Sequence, residues 1–227
     1  MPELKESTVS SKKVYEGSFL DVRKDVVKLP DGNTSTREWI NHPGAACIIP
    51  IMPDGKLALI KQYRYPVQSI MIELPAGKLD KEESPEACAI RELEEEIGYS
   101  AGKLTFVAKI HPAIGFANEQ MWIFLAEQLI QSQKNTDHDE FVELMPTSIN
   151  QAVELVWNGA ITDVKTIIGI LWLDKYLLTH FLSSLLPYLL CGSWSHFCSS
   201  EDTPLDLGTI TSETIMWILA ITQSVTD

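Results

Sequence analysis

Three glutamates, Glu92, Glu95 and Glu96, stand close together in the run RELEEEIG, Arg91 to Gly98. At roughly 100° per residue along a helix, Glu92 and Glu96 lie one turn apart and project together, with Glu95 beside them. The same wheel puts Ile90, Leu93 and Ile97 on one side and the Glu92/Glu96 pair nearly opposite. Like charges so placed cost a helix a few tenths of a kcal/mol per pair, and no Lys or Arg follows Arg91 within the helix to offset them. The cluster is either a solvated acidic face or a site for a cation. Clustered carboxylates with no thiolate or imidazole at matching spacing favour a hard, oxygen-seeking ion such as Mg2+ or Mn2+.

The helix that carries them has legible ends. Ser84 suits the N-cap, Pro85 the first helical position, Glu86 the positive end of the dipole, and Gly98 a left-handed stop. These residues predict a helix over Pro85 to Ile97.

The stretch from Gly77 to Tyr99, GKLDKEESPEACAIRELEEEIGY, resembles the signature of the Nudix hydrolase family. Gly77, Glu83, Arg91, Glu92, Leu93, Glu95, Glu96 and Gly98 match it in order, and Tyr99 departs where an aliphatic residue is usual. The resemblance implies that Glu92 and Glu96 bind the catalytic metal, that Glu95 assists, and that the backbone carbonyl of Ala76 completes the shell. It also implies that an ion pair between Glu83 and Arg91 braces the loop against the helix.

The surrounding elements must position this helix. Residues 1 to about 13 read as a loose tail. Val14 to Ile40 is strand-like, with a hairpin turn at Leu29-Pro30-Asp31-Gly32-Asn33. AACIIPIM reads as a buried strand, KLALIKQYRYP as a half-buried one, and SIMIELPAG leads into the signature. LTFVAKIHP, EQMWIFLAEQL and Phe141-Val142-Glu143-Leu144 follow as strands, and Gln151 to Asn158 and Val164 to Tyr176 have helical spacing. The fold class is therefore α/β, a mixed sheet between helices. It agrees with the Nudix-type α/β/α sandwich that the resemblance implies, preceded by an N-terminal β-hairpin layer.

From Val14 to Tyr176 the chain resembles the bacterial ADP-ribose and nucleoside-diphosphate-sugar hydrolases. That branch implies a homodimer in which the hairpin layer is exchanged, so that each site borrows residues from its partner. The expected organisation is residues 1–42 as tail and hairpin layer, 43–176 as the hydrolase domain and 177–227 as an extension. From Tyr176 onward there is no Lys or Arg, and this extension does not resemble the family.

Further roles follow from the resemblance. Arg64 would contact phosphate, for which its planar fork is suited; the alternative is a surface Arg on an edge strand. Arg37 and Glu38 would contact substrate, and Trp39 either stacks on a base or fills the hairpin core. The DEFVE arrangement places the catalytic base at Glu140, with Asp137 and Asp139 as neighbours able to substitute. Gly115 and Glu119 match a substrate loop, although Ile114 replaces the usual Pro.

Composition sets outer limits. A chain of 227 residues, 45% hydrophobic and 22% charged, is globular. A net charge of -13 opposes a nucleic-acid partner. Cys47, Cys88, Cys191 and Cys198 form no CxxC pair and read as free thiols of a cytoplasmic protein. The polar N-terminus offers no signal peptide, and Pro187, His180 and neighbouring charges interrupt the apolar run near 177–190, so no membrane span is expected. The combined reading is a Mg2+-dependent hydrolase of ADP-ribose or nucleoside diphosphate sugars. Its rivals are a nucleoside triphosphate pyrophosphatase and a Nudix-like nucleotide sensor without turnover.

Overall fold

The structure is a computed structural model and describes residues 4–132 and 141–191, with side chains as far as 181. The chain packs as two units, Met1–Leu177 and Leu178–Asp227, and the elements that position the acidic helix belong to the first.

Three antiparallel strands open the chain: β1 Ser7–Glu16, β2 Asp21–Lys28 and β3 Thr34–Asn41. The β2–β3 hairpin closes with Lys28 opposite Thr34, around the turn that Leu29 to Asn33 predicts. The first strand overturns the loose-tail reading. Residues Ser7–Glu16 pair along β2 yet are exposed throughout, so backbone pairing rather than an apolar face makes this segment a strand.

Two further sheets form the body. One has the order β10 (Val142–Thr147), β5 (Leu57–Arg64), β6 (Ser69–Glu73). The other has the order β7 (Ala76–Lys78), β4 (Ala45–Pro50), β9 (Met121–Gln131), β8 (Tyr99–Ile110). Strands β4 and β9 run parallel while their outer neighbours are antiparallel, which makes this sheet mixed.

Strand β4 and much of β5 and β9 are buried on both faces, and alternate residues serve two cores. Cys47 and Ile49 of β4, Leu57 and Leu59 of β5, and Ile123 and Leu125 of β9 join Ala152 of helix α2 (Ile149–Trp157) and Ile170 and Leu173 of helix α3 (Val164–Cys191). Ala46 and Ile48, Ala58 and Ile60, and Phe124 and Ala126 face the other way, onto Cys88, Ala89, Leu93 and Ile97 of helix α1 (Pro85–Ile97). The layers are thus α1, sheets, then α2 with α3, the α/β sandwich expected. Helix α3 continues past Tyr176 to Cys191. Among the described residues, no helix is long and apolar enough to cross a membrane.

Candidate active site

Helix α1 begins and ends as its sequence dictates. The Ser84 hydroxyl accepts from the Ala87 amide, Pro85 opens the first turn, and Gly98 closes the helix at φ 73°. Its buried face, however, is not the one the helical wheel suggests. Ile90 is 45% exposed, whereas Cys88 and Ala89 are core. Glu92 and Glu96 do not oppose the buried face but lie within it, between Cys88 and Ala89 around the helix, and Glu96 is only 1% exposed. The sheets cover more of α1 than an amphipathic stripe requires, so Glu96 is enclosed by protein and Glu92 keeps only a small exposed edge.

Each buried carboxylate is held by its surroundings, as burial of a charge demands. Glu96 Oε2 accepts from the Ala76 amide at 3.0 Å, which fixes the loop strand β7 against the helix. A Cβ on residue 77 would collide with the Glu92 carboxylate, so only glycine there lets Glu92 lie against β7. Arg91 supplies the positive charge within the helix. Its Nη1 donates to Glu92 Oε1 at 2.7 Å and to Glu95 Oε2 at 2.8 Å, while Nε and Nη2 grip Glu83 at 2.9 and 3.0 Å. The brace between loop and helix is therefore present, and the same guanidinium also offsets the acidic cluster. Arg91 beside Glu83 holds that carboxyl down to about 2.

The acidic face opens on a cleft of about 650 Å³. Ala76, Gly77, Glu92 and Glu95 line one side; Arg64, Gln62 and Lys165 contribute as well, and Phe19, His42 and Glu119 reach it from the chain's other segments. Arg64 is no stray surface group. Its Nε and Nη2 donate to the two oxygens of Glu73 at 2.7 and 2.9 Å, and Glu73 is 2% exposed. Burial pushes the Glu73 carboxyl up, but Arg64 and Lys165 outweigh it and hold the group below the ordinary range.

Glu119 reaches the cleft because its loop is stitched to the N-terminal sheet. Ile40 and Phe116 share a backbone hydrogen bond at 2.8 Å, and the His42 amide donates to Asn118 Oδ1 at 2.7 Å. His42 Nδ1 accepts from the Gly44 amide at 3.1 Å and lies 3.9 Å from Glu119. Burial pushes the His42 imidazole down, against the pull of Glu119. Phe19 packs edge-on to His42 and carries the Lys78 ammonium 4.3 Å from its ring centre.

Not every candidate converges on this cleft. Arg37 pairs with Glu6 and Glu38 with Lys24 at 2.8 Å, both on the exposed N-terminal sheet and neither lining the cleft. Trp39 is half-buried and donates to Asp25 Oδ2 at 2.8 Å, as a core residue would. Gly115 sits in open surroundings, beside the strongly exposed Ile114. Asp137, Asp139 and Glu140 lie outside the described residues. Glu73, Lys165 and His42 were not legible as site residues: the first two meet only across 92 positions of sequence, and nothing in IELPAG or VKTII marks them.

Against sequence-family models, residues 41–166 match the NUDIX domain, and residues 6–40 match the nucleoside diphosphate sugar hydrolase N-terminal domain. The chain belongs to the Nudix family. This Nudix chain is 40% identical over 176 residues to an ADP-ribose pyrophosphatase of Bacillus subtilis (strain 168), covering 77% of the chain and 95% of that protein. It is 35% identical over 171 residues to a methanol dehydrogenase activator of Bacillus methanolicus, covering 74% and 92%. In structure it is similar to an ADP compounds hydrolase with a TM-score of 0.71 at 22% identity, over 78% of this chain and 96% of the other.

The donor set of the Nudix helix fits a hard divalent cation. Glu92, Glu95 and Glu96 offer oxygen only, and the glycine at 77 leaves room for a carboxylate against the loop backbone. Among the described residues, no three His, Cys, Asp or Glu side chains are gathered as a ready-made metal cluster, and Arg91 is the cation that Glu92 and Glu95 hold.

Proposed function

We propose that this protein is a Mg2+-dependent hydrolase that splits the diphosphate of ADP-ribose or a nucleoside diphosphate sugar into a nucleoside monophosphate and a sugar phosphate. The observation that carries the reading is a single cleft lined by Glu92 and Glu95 of the Nudix helix and by Arg64, with Glu96 buried just behind it against Ala76. A diphosphate needs both: positive donors for its oxygens and anionic groups for the cation that accompanies it. The similarity to an ADP-ribose pyrophosphatase and the match to the sugar-hydrolase N-terminal domain favour a sugar-linked diphosphate over a nucleoside triphosphate.

Glu92 and Glu96, with the Ala76 carbonyl and help from Glu95, would hold Mg2+, or Mn2+ in its place. When bound, such an ion neutralises phosphate charge and polarises the phosphoryl group. Arg64 would grip the phosphate oxygens through the N–H groups that Glu73 leaves unused. Glu140 would take the proton from the attacking water, and Glu119, on the loop that includes Gly115, would contact the substrate at its end of the cleft.

Arg37 and Glu38 would reach substrate only across a homodimer, in which the N-terminal sheet is exchanged. Their distance from this chain's own cleft favours that arrangement, as does the wholly exposed β1, which carries Val9, Val14 and Tyr15 on its surface. The buried free thiols Cys47 and Cys88, both pushed by burial up to about 12, suit a reducing cytoplasm.

The test incubates the pure protein with Mg2+ and a panel of ADP-ribose, UDP-, GDP- and ADP-sugars and nucleoside triphosphates, and identifies the products. Release of a nucleoside monophosphate from ADP-ribose or a sugar nucleotide is expected. Turnover of triphosphates alone, or tight binding with no turnover, would replace this reading with one of its rivals.

A further inference from the structure

Beside Arg64 runs a chain of alternating charges whose middle, Glu73 and Lys165, is buried. Lys165 Nζ donates to Glu73 Oε2, the oxygen that also receives Arg64 Nη2, and to Asp163 Oδ2 at 2.9 Å. Lys165 is 6% exposed, yet Asp163 and Glu73 outweigh the effect of burial and keep its ammonium charged. Asp163 in turn accepts from the Thr166 amide at 3.1 Å and the Thr166 hydroxyl at 2.6 Å. That hydroxyl accepts from the Leu74 amide at 2.8 Å. The start of α3 thus clamps both the side chain of Glu73 and the backbone of the next residue, two positions before Ala76.

The geometry points to Lys165 and Glu73 as positioning residues for Arg64: Glu73 grips one edge of its guanidinium so that the remaining donors face the cleft, and Lys165, sharing Glu73 Oε2 with Arg64, offsets part of the Glu73 charge so that Arg64 keeps its attraction for a diphosphate. Of the five N–H donors of Arg64, two go to Glu73 and the other three are not engaged by that carboxylate. The chain Arg64, Glu73, Lys165, Asp163 balances two positive and two negative groups. Without Lys165, a buried carboxylate with one partner fewer would draw on Arg64 alone, an arrangement that costs strongly in a protein interior.

This inference rests on the hydrolase reading for its kinetic consequence but not for its structural one, and the experiment separates the two. Lys165→Met, Lys165→Arg, Glu73→Gln, Arg64→Ala and the double variant Arg64→Ala/Lys165→Met are assayed for kcat and KM on ADP-ribose. The Arg64 Nε–H resonance, identified by its loss in Arg64→Lys, is followed by NMR in each variant that retains Arg64. Lys165→Met should lower kcat/KM by about 10- to 100-fold, and Lys165→Arg should recover most of it. In the Arg64→Ala background the same change should cost no more than about twofold. The Arg64 resonance should be slow to exchange in the native protein and in Lys165→Arg, and shifted or lost in Lys165→Met and Glu73→Gln. Additive losses in the cycle, or an Arg64 resonance unmoved by Lys165→Met, would overturn the inference. If Lys165→Met does not fold, Glu73→Gln carries the same comparison. A native protein that turns over nothing refutes the hydrolase reading, and the resonance alone then decides this one.

Discussion

The Glu92 carboxylate occupies the space that any side chain on residue 77 would need. The glycine that opens the Nudix signature is therefore required by a carboxylate fifteen positions later rather than by its own backbone conformation. Gly77→Ala should push Glu92 off β7 and lower kcat on ADP-ribose by about 100-fold or more, the usual cost of a misplacement near 1 Å. Activity within a few-fold of native would mean that Glu92 is free to sit elsewhere.

Glu96→Gln should separate catalysis from folding. The amide oxygen of Gln can still accept from the Ala76 amide, while a ligand charge is lost. Turnover should fall on the order of 100-fold or more with the thermal midpoint nearly unchanged, checked by kcat at saturating Mg2+ beside a melting curve.

The ion pair between Glu83 and Arg91 should leave a mark on the pH dependence of stability. The Glu83 carboxyl lies at about 2 when folded, against an ordinary 4.5. A depressed carboxyl contributes stability that is fully present above pH 4.5 and is lost as pH falls toward 2. The difference in unfolding free energy between native protein and Glu83→Gln should hold constant from pH 7 to about 5 and shrink below that. A gap that widens on acidification would contradict the assignment.

Gly169 lets α3 approach the sheets, since a Cβ there would collide with Leu74 and stand 3.3 Å from Ile49. Gly169→Ala should cost about 1–3 kcal/mol by overpacking, despite the better helix propensity of alanine. Denaturant unfolding measures it, and a stabilised variant would show that α3 can move outward freely.

The proton acceptor calls for a comparison within one loop. Glu140→Gln should cut kcat by about 10² to 10⁴ with little change in KM, whereas Asp137→Asn and Asp139→Asn should not. A collapse in one aspartate variant and near-native kcat in Glu140→Gln would move the base by one to three residues.

What the sequence made legible was local. Ser84, Pro85 and Gly98 delimit α1 because capping acts within one turn, and the continuous apolar run of β4, the alternating one of β5 and the apolar run of β9 declare strands. Segment β1 escaped because its polar residues bury nothing, and its only warrant is the ladder to β2. The placement of Glu92 and Glu96 escaped because a wheel drawn from Ile90, Leu93 and Ile97 gave a large side chain more weight than Cys88 and Ala89. Small residues at those positions are what allow the sheets to come close. The charge chain beside Arg64 escaped because it closes between β6 and α3, a contact that no window of sequence contains.

Strand β4 sends Cys47 and Ile49 into one core and Ala46 and Ile48 into the other, and this has a genetic consequence. Losing or gaining one codon between Ala45 and Pro50 would exchange the two sets on one side of the change, turning those side chains into the wrong layer. A substitution there disturbs one core at a time, but an indel disturbs both and drags β7, with the Gly77 loop, out of register. The exposed turn at 29–33 has no such constraint, so length variation among descendants of this gene should collect there and be purged from β4.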